Sequence, residues 1–228
     1  MVDVVLLELE GVVFDTRALR RASLRHALAA HGIPLAPEAE LDVAMPVKAS
    51  VLSAMSDAGV PHDDVVADLI ERDAEREFTQ QLSVAGIALQ AGVRQFVDRA
   101  AGDARLAVVT RARRTDADAL LHLSGFDAAF ASVVTSDDTL DAKPSPAGIR
   151  LALDRLAKLR AISSAAVIAL EDGAVGIRAA RAAGVRCVSV GAIAPHVAME
   201  ADAYVETLGE HTPATLDALS RPGRERVK

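Results

Sequence analysis

Along the 228-residue chain, short apolar runs alternate with longer stretches whose apolar positions recur at helical spacing. Residues 4–9 open with four aliphatics and show no strict polar alternation, the pattern of a strand covered on both faces in a parallel sheet. From 16 to 30 the period changes: Leu19, Ala22, Ala27 and Leu28 share much of one helical face with arginines opposite, and His31-Gly32 ahead of Pro34 ends the helix. Residues 46–55 and 63–82 predict two more helices, the second carrying acidic and basic pairs on its wet side, and Gly86 closes the stretch.

The pattern then settles into a repeat of helix and strand. Residues 90–101 read as a helix carrying Val93, Phe96 and Val97, 105–109 as a strand, 115–123 as a helix, 130–134 as a strand and 145–159 as a helix. A strand at 165–170, a helix at 173–183 closed by Gly184, and strands at 185–190 and 203–205 complete the series. This order is the signature of an α/β fold with a parallel sheet and right-handed crossovers, interrupted after its first strand by an all-helical insertion.

Composition narrows the class. An apolar fraction of 51% with 25% charged residues belongs to a globular chain long enough to bury a substantial core. Cys187 is the single cysteine, so no internal disulfide forms, and its place in an apolar run predicts a buried, inert thiol. The net charge of -7 argues against broad nucleic-acid binding. Neither a basic leader with a hydrophobic segment nor a membrane-length apolar run is present, so the expected location is cytoplasmic. The polar tail from residue 220 is expected to fray.

Candidate chemistry collects at strand ends. Glu8 and Glu10 close the first strand ahead of Gly11, and with Leu9 turned to the other face both carboxylates are expected on one side of the pleat. Carboxyl ends of strands are where open α/β sheets carry ligands, although two solvated carboxylates would have the same spelling. Thr110 follows the run LAVV and offers a hydroxyl to an anion, or serves as a simple helix cap. Lys143, ahead of Pro144, places an ammonium where it could balance an anionic group or merely be solvated. Glu171 and Asp172 follow another apolar run with Gly176 nearby; they suit a hard cation such as magnesium, and equally the start of a helix. Arg111, Arg113 and Arg114 point to an anionic substrate or partner, or to solvent and acidic neighbours in the same chain.

Taken in order, Glu8-Leu9-Glu10-Gly11, Thr110, Lys143-Pro144 and the phrase EDGAVGIRAARAAG from Glu171 resemble the motif set of the haloacid dehalogenase-like phosphatases and phosphomutases, over almost the whole chain. The inserted helices are similar to the cap of the beta-phosphoglucomutase and phosphoglycolate phosphatase branch. The resemblance implies a Rossmann-like parallel sheet core of residues 1–15 and 87–228, with residues 16–86 as a helical cap that excludes water and contributes substrate contacts. It implies Glu8 as nucleophile, Glu10 as acid and base, and Thr110 and Lys143 as stabilisers of the transferring group. It further implies magnesium (Mg) at Glu8, the Glu10 carbonyl, Glu171 and Asp172, and a phosphorylated small molecule as substrate. A protein partner stays open, while nucleic acid and membrane are not expected.

The chain departs from the family at informative places. The family carries aspartate where Glu8 and Glu10 stand, often aspartate where Ala147 stands, and commonly serine where Gly173 stands. One extra methylene moves a carboxylate by roughly 1 Å, a displacement that can cost about 100-fold in rate. Two functions are therefore expected from sequence. The first is a retained phosphate and magnesium pocket with impaired phosphoryl transfer, in which Glu8→Asp would raise activity. The alternative is a magnesium-dependent phosphomonoester hydrolase or sugar phosphomutase using Glu8. In the insertion, Ala44 and Met45 stand where related caps carry a glycine and polar residues, which leaves Lys48 as a cationic candidate or a solvated helix lysine.

Overall fold

The structure, a computed structural model, describes residues 2–36, 41, 43, 47–85, 88–158 and 160–221. The chain divides into two compact units, Met1–Asp15 with Ala88–Lys228, and Thr16–Ile87.

The first unit is built on six parallel strands: β1 (Val4–Leu7), β2 (Arg105–Val109), β3 (Ser132–Val134), β4 (Val167–Glu171), β5 (Arg186–Val190) and β6 (Ala203–Val205). They lie in the order β3-β2-β1-β4-β5-β6. The chain winds outward from β1 to β2 and β3, then returns to β4 and winds the other way, so the switch point falls between β1 and β4. Val4 to Leu7 pair in register with Arg105 to Val108 on one side and with Val167 to Leu170 on the other. All four β1 side chains are buried, as an unalternating central strand requires. Each such aliphatic contributes about 1.5–3 kcal/mol on leaving water.

Helices α4 (Val93–Ala100), α5 (Arg114–Ser124), α6 (Ala147–Ala157), α7 (Ala174–Ala182), α8 (Pro195–Ala198) and α9 (Pro213–Ser220) complete this unit. Ile149 and Ala152 of α6 and Ile177 and Ala180 of α7 join Leu6 and Ala169 in one apolar cluster. Cys187 belongs to the same cluster, and burial raises its thiol pKa well above the ordinary value, as an inert core cysteine should show.

The second unit holds α1 (Arg17–Ala30), α2 (Val47–Asp57) and α3 (Asp64–Ala85). Its own core joins Leu24 and Leu28 of α1, Val51 and Met55 of α2, and Ile70 and Ala74 of α3. Asp63 starts α3 as its cap, accepting from the backbone N–H of Val65 at 2.9 Å and of Val66 at 3.1 Å.

The structure also corrects the sequence reading. β1 stops at Leu7 rather than continuing to Leu9. Glu171 is the last residue of β4 and pairs with Ser189, rather than lying beyond the strand. Two short 3-10 turns, Ser136–Asp138 and Ser164–Ala166, and the short helices α8 and α9 had no periodic signal to reveal them. Gly86, Ala44, Met45, Leu159 and the tail from 222 lie outside the described residues. Among the described residues, no helix is long and apolar enough to cross a membrane.

Candidate active site

The first strand leads directly into the candidate site. Glu8 N–H still donates to Leu170 O at 3.0 Å, so pairing with β4 runs one step past the strand. The chain then turns: Val13 and Phe14 N–H both donate to Leu9 O, at 3.0 and 2.9 Å, and Gly11 N–H donates to Phe14 O at 2.8 Å. Glu10 lies beyond the strand, bridged to Phe14 within this turn, so an extended pleat does not set the side its carboxylate takes. Glu8 itself is buried, at 6% exposure, and its Oε1 accepts from Leu9 N–H at 2.8 Å.

Lys143 joins the strand ends. Its Nζ donates to Glu8 Oε2, to Val109 O and to Glu171 Oε1, each at 2.7 Å. These three acceptors come from the exits of β1, β2 and β4, and they use all three ammonium protons. The Lys143 side chain is only 6% exposed. Burial opposes its charge, but Glu171 and Glu8 outweigh that cost and raise its pKa above the ordinary lysine value. Burial likewise drives the Glu171 carboxyl upward; Lys143 pulls it back, and Glu8 pushes it further up. The balance leaves the Glu171 carboxyl well above the ordinary carboxylate range, beside an ammonium that stays charged.

Two glycines make room for Glu171, at the end of β4, and for Asp172 just after it. A Cβ on Gly176, in the first turn of α7, would lie 1.9 Å from Glu171 Oε2. A Cβ on Gly11 would lie 1.9 Å from Asp172 Oδ2, and Gly11 also adopts φ +86°, a left-handed conformation that disfavours any other residue. The approach of Asp172 to Gly11 brings the fourth motif against the first. Magnesium takes hard oxygen donors; Glu171 and Asp172 supply carboxylates seated in room that only glycine leaves, and Glu8 supplies a third at the exit of β1, so the donor chemistry fits. Among the described residues, however, no three His, Cys, Asp or Glu side chains are gathered as a ready-made metal cluster.

Thr110 follows β2 and is buried at 5% exposure. It does not cap α5, whose N-cap is Arg113. Its Oγ1 accepts from Ala112 N–H at 3.1 Å, holding a tight local turn and leaving the hydroxyl proton to donate elsewhere. Arg114 is committed within the chain, to Asp118 at 3.5 Å, Asp138 at 2.7 Å and Val133 O at 2.9 Å. Lys48 pairs with Asp64 at 3.0 Å and Asp68 at 2.7 Å, which ties α2 to α3.

Sequence reasoning passed over Asp137 and Asp138. The available signal was the spacing Thr135-x-x-Asp138, that of a capping box, and Thr135 N–H does donate to Asp138 Oδ2 at 2.8 Å while Asp138 N–H donates to Thr135 O at 3.2 Å.

Comparison with known proteins places this geometry in a family. The family described as haloacid dehalogenase-like hydrolase matches residues 5–190. Protein CbbY of Rhodobacter capsulatus is 33% identical over 132 residues, an alignment spanning 56% of each chain. Two crystal structures of CbbY from Rhodobacter sphaeroides share the fold over 95% of this chain and 100% of theirs. One, in complex with phosphate, has 26% identity and a TM-score of 0.78. The other, a point mutant in complex with xylulose 1,5-bisphosphate, has 27% identity and a TM-score of 0.79. With the four motif segments gathered at one end of a parallel sheet and the family match running from β1 through β5, the chain belongs to the haloacid dehalogenase-like hydrolases, in a branch related to CbbY.

Proposed function

We propose that the protein is a phosphomonoester hydrolase acting on a phosphorylated sugar or similar small molecule, with Glu8 as its nucleophile. The observation that carries this reading is the convergence of Glu8, Glu171 and Val109 O on the Lys143 ammonium, each at 2.7 Å. A buried, oriented carboxylate beside a fixed cation at strand exits is the arrangement that phosphoryl transfer needs. The sugar phosphate class is suggested by the xylulose 1,5-bisphosphate complex of the CbbY relative. We assign residues 1–15 and 87–228 to the catalytic domain and 16–86 to the cap.

In this mechanism Glu8 attacks phosphorus; a Glu8 oxygen–phosphorus bond forms while the bond from phosphorus to the leaving oxygen breaks. Glu10 gives a proton to that oxygen, then takes one from the water that attacks the phosphoenzyme, which restores the Glu8 carboxylate and releases phosphate. The Thr110 hydroxyl donates to a phosphoryl oxygen, and Lys143 offsets the charge as the phosphoryl group arrives. Magnesium would be held by Glu8, Glu171, Asp172 and the Glu10 carbonyl, where it would supply positive charge at a phosphoryl oxygen.

A second reading is favoured by one observation: both Glu8 oxygens are already bonded, to Leu9 N–H and to Lys143 Nζ. A carboxylate committed in this way suits a pocket that binds phosphate without turnover. Phosphate release from a panel of sugar phosphates and bisphosphates, with magnesium, separates the two. Release by the parent that disappears in Glu8→Ala supports the hydrolase; phosphate binding with no release across the panel supports the binding pocket.

A further inference from the structure

The turn between β3 and Lys143 is built around a single carboxylate. Asp138 Oδ2 accepts from Thr135 N–H at 2.8 Å, Thr135 Oγ1 at 2.9 Å and Arg114 Nη2 at 2.7 Å, while Oδ1 accepts from Arg155 Nη2 at 2.6 Å. Both arginines also donate to Val133 O, Arg114 at 2.9 Å and Arg155 at 3.0 Å. Asp138 thereby ties the end of β3, the first turn of α5 and the last turn of α6 to one point.

The neighbours of this carboxylate reach the candidate site from two sides. Ser136 N–H and Oγ donate to Ala112 O, at 3.1 and 3.2 Å, and Arg114 N–H donates to Asp137 Oδ2 at 2.8 Å. The loop that follows Thr110 is therefore held at Ala112 and at Arg114 by the turn that Asp138 organises. On its other side the same turn runs through residues 139–142 to Lys143, whose ammonium fixes Glu8 and Glu171.

A partly buried carboxylate between two arginines is often only a structural staple. Here the bonds of its turn land on the backbone that carries Thr110, whose own N–H donates to Val134 O at 2.9 Å. Displacing that backbone would misplace the hydroxyl and the ammonium together.

We propose that Asp138 is a positioning residue for phosphoryl binding and transfer: through Arg114, Arg155 and the Thr135 turn it fixes the Thr110 loop relative to Lys143. The inference rests on the phosphatase reading for its effect on turnover, and on geometry alone for its effect on phosphate binding. Asp217 offers a control of similar chemistry at α9, where it pairs with Arg186 at 2.7 Å and Arg221 at 2.8 Å and has no place in the proposed mechanism.

The test titrates inorganic phosphate, with magnesium present, into parent, Asp138→Asn, Arg155→Lys and Asp217→Asn, following the backbone amides of Thr110, Ala112 and Arg114 by NMR. Melting temperatures and phosphate release are recorded on the same samples. Asp138→Asn is expected to weaken phosphate binding by about tenfold, to shift the Ala112 and Arg114 amides before phosphate is added, and to lower kcat in proportion. Arg155→Lys, which keeps a charge beside Asp138, should show a smaller effect in the same direction, and it decides the matter if Asp138→Asn does not fold. Asp217→Asn should lower the melting temperature without changing phosphate affinity. Affinity within about twofold of the parent in a folded Asp138→Asn, or an equal loss in Asp217→Asn, overturns the proposal. A parent that binds phosphate but hydrolyses no ester defeats the hydrolase reading alone, and the affinity series still decides the role of Asp138.

Discussion

Lys143 Nζ stands 2.7 Å from Glu8 Oε2, although the two residues are separated by 135 positions in the chain. With Glu171 Oε1 at the same distance from the same nitrogen, a single ammonium holds two buried carboxylates apart in charge and together in space.

Removing that ammonium leaves two buried carboxyl groups without their shared cationic partner. Lys143→Met is expected to cost about 3–5 kcal/mol of stability at neutral pH, the range for breaking a buried ion pair on one side. Urea unfolding measures it. A loss below about 1 kcal/mol would place the interaction in the class of exposed surface pairs.

Gly176→Ala would place a methyl group 1.9 Å from Glu171 Oε2. The carboxylate must then swing away from Lys143, although alanine is the better helix former by about 1 kcal/mol. The expected result is a net destabilisation of about 1–3 kcal/mol, as for overpacking, together with weaker magnesium-dependent phosphate binding. Calorimetry that finds the variant more stable, with unchanged binding, would contradict the packing of Glu171 described here.

The core was legible because central parallel strands declare themselves through unbroken aliphatic runs; Val4 to Leu7 could hardly be anything else. The convergence of Glu8, Lys143 and Glu171 was legible only through family resemblance, since contacts across 135 and 28 positions leave no local pattern. What sequence misjudged was the reach of β1. The pleat argument for Glu8 and Glu10 assumed an extended backbone that gives way to a turn after Leu7, closed by bonds onto Leu9 O. Asp138 was missed because its partners Arg114 and Arg155 lie 24 and 17 positions away, and only its capping spacing to Thr135 was local.

Asp138 also makes an acid-stability test possible. Burial alone would raise its carboxyl, but the Arg155 and Thr135 bonds outweigh burial and hold its pKa well below the usual carboxylate range. A carboxyl depressed in the folded state stabilises the protein above its unfolded pKa, near 3.9, and loses that contribution as pH falls through the folded value. The stability gap between parent and Asp138→Asn should be full at pH 6 and narrow progressively below about pH 4. A gap that stays constant down to pH 2 would show that the charge of Asp138 contributes nothing.

Glu8→Asp separates the two functional readings. Shortening the side chain by one methylene withdraws the carboxylate by roughly 1 Å from Lys143, and a misplacement of that size can cost about 100-fold. If the pocket is fitted to glutamate, as the 2.7 Å contact with Lys143 and the 2.8 Å contact with Leu9 N–H suggest, phosphate release should fall. A rise in release would mean that the longer residue impairs transfer, as the sequence alone led one to expect.

The most direct test of Glu8 as nucleophile is to trap the phosphoenzyme. A sugar phosphate that the parent hydrolyses is mixed with enzyme and magnesium, quenched with hydroxylamine during turnover, and the protein is digested for mass spectrometry. A hydroxamate on Glu8, absent from a substrate-free control, is the expected result. Turnover with no modification at Glu8, or with the adduct on another residue, would contradict the account.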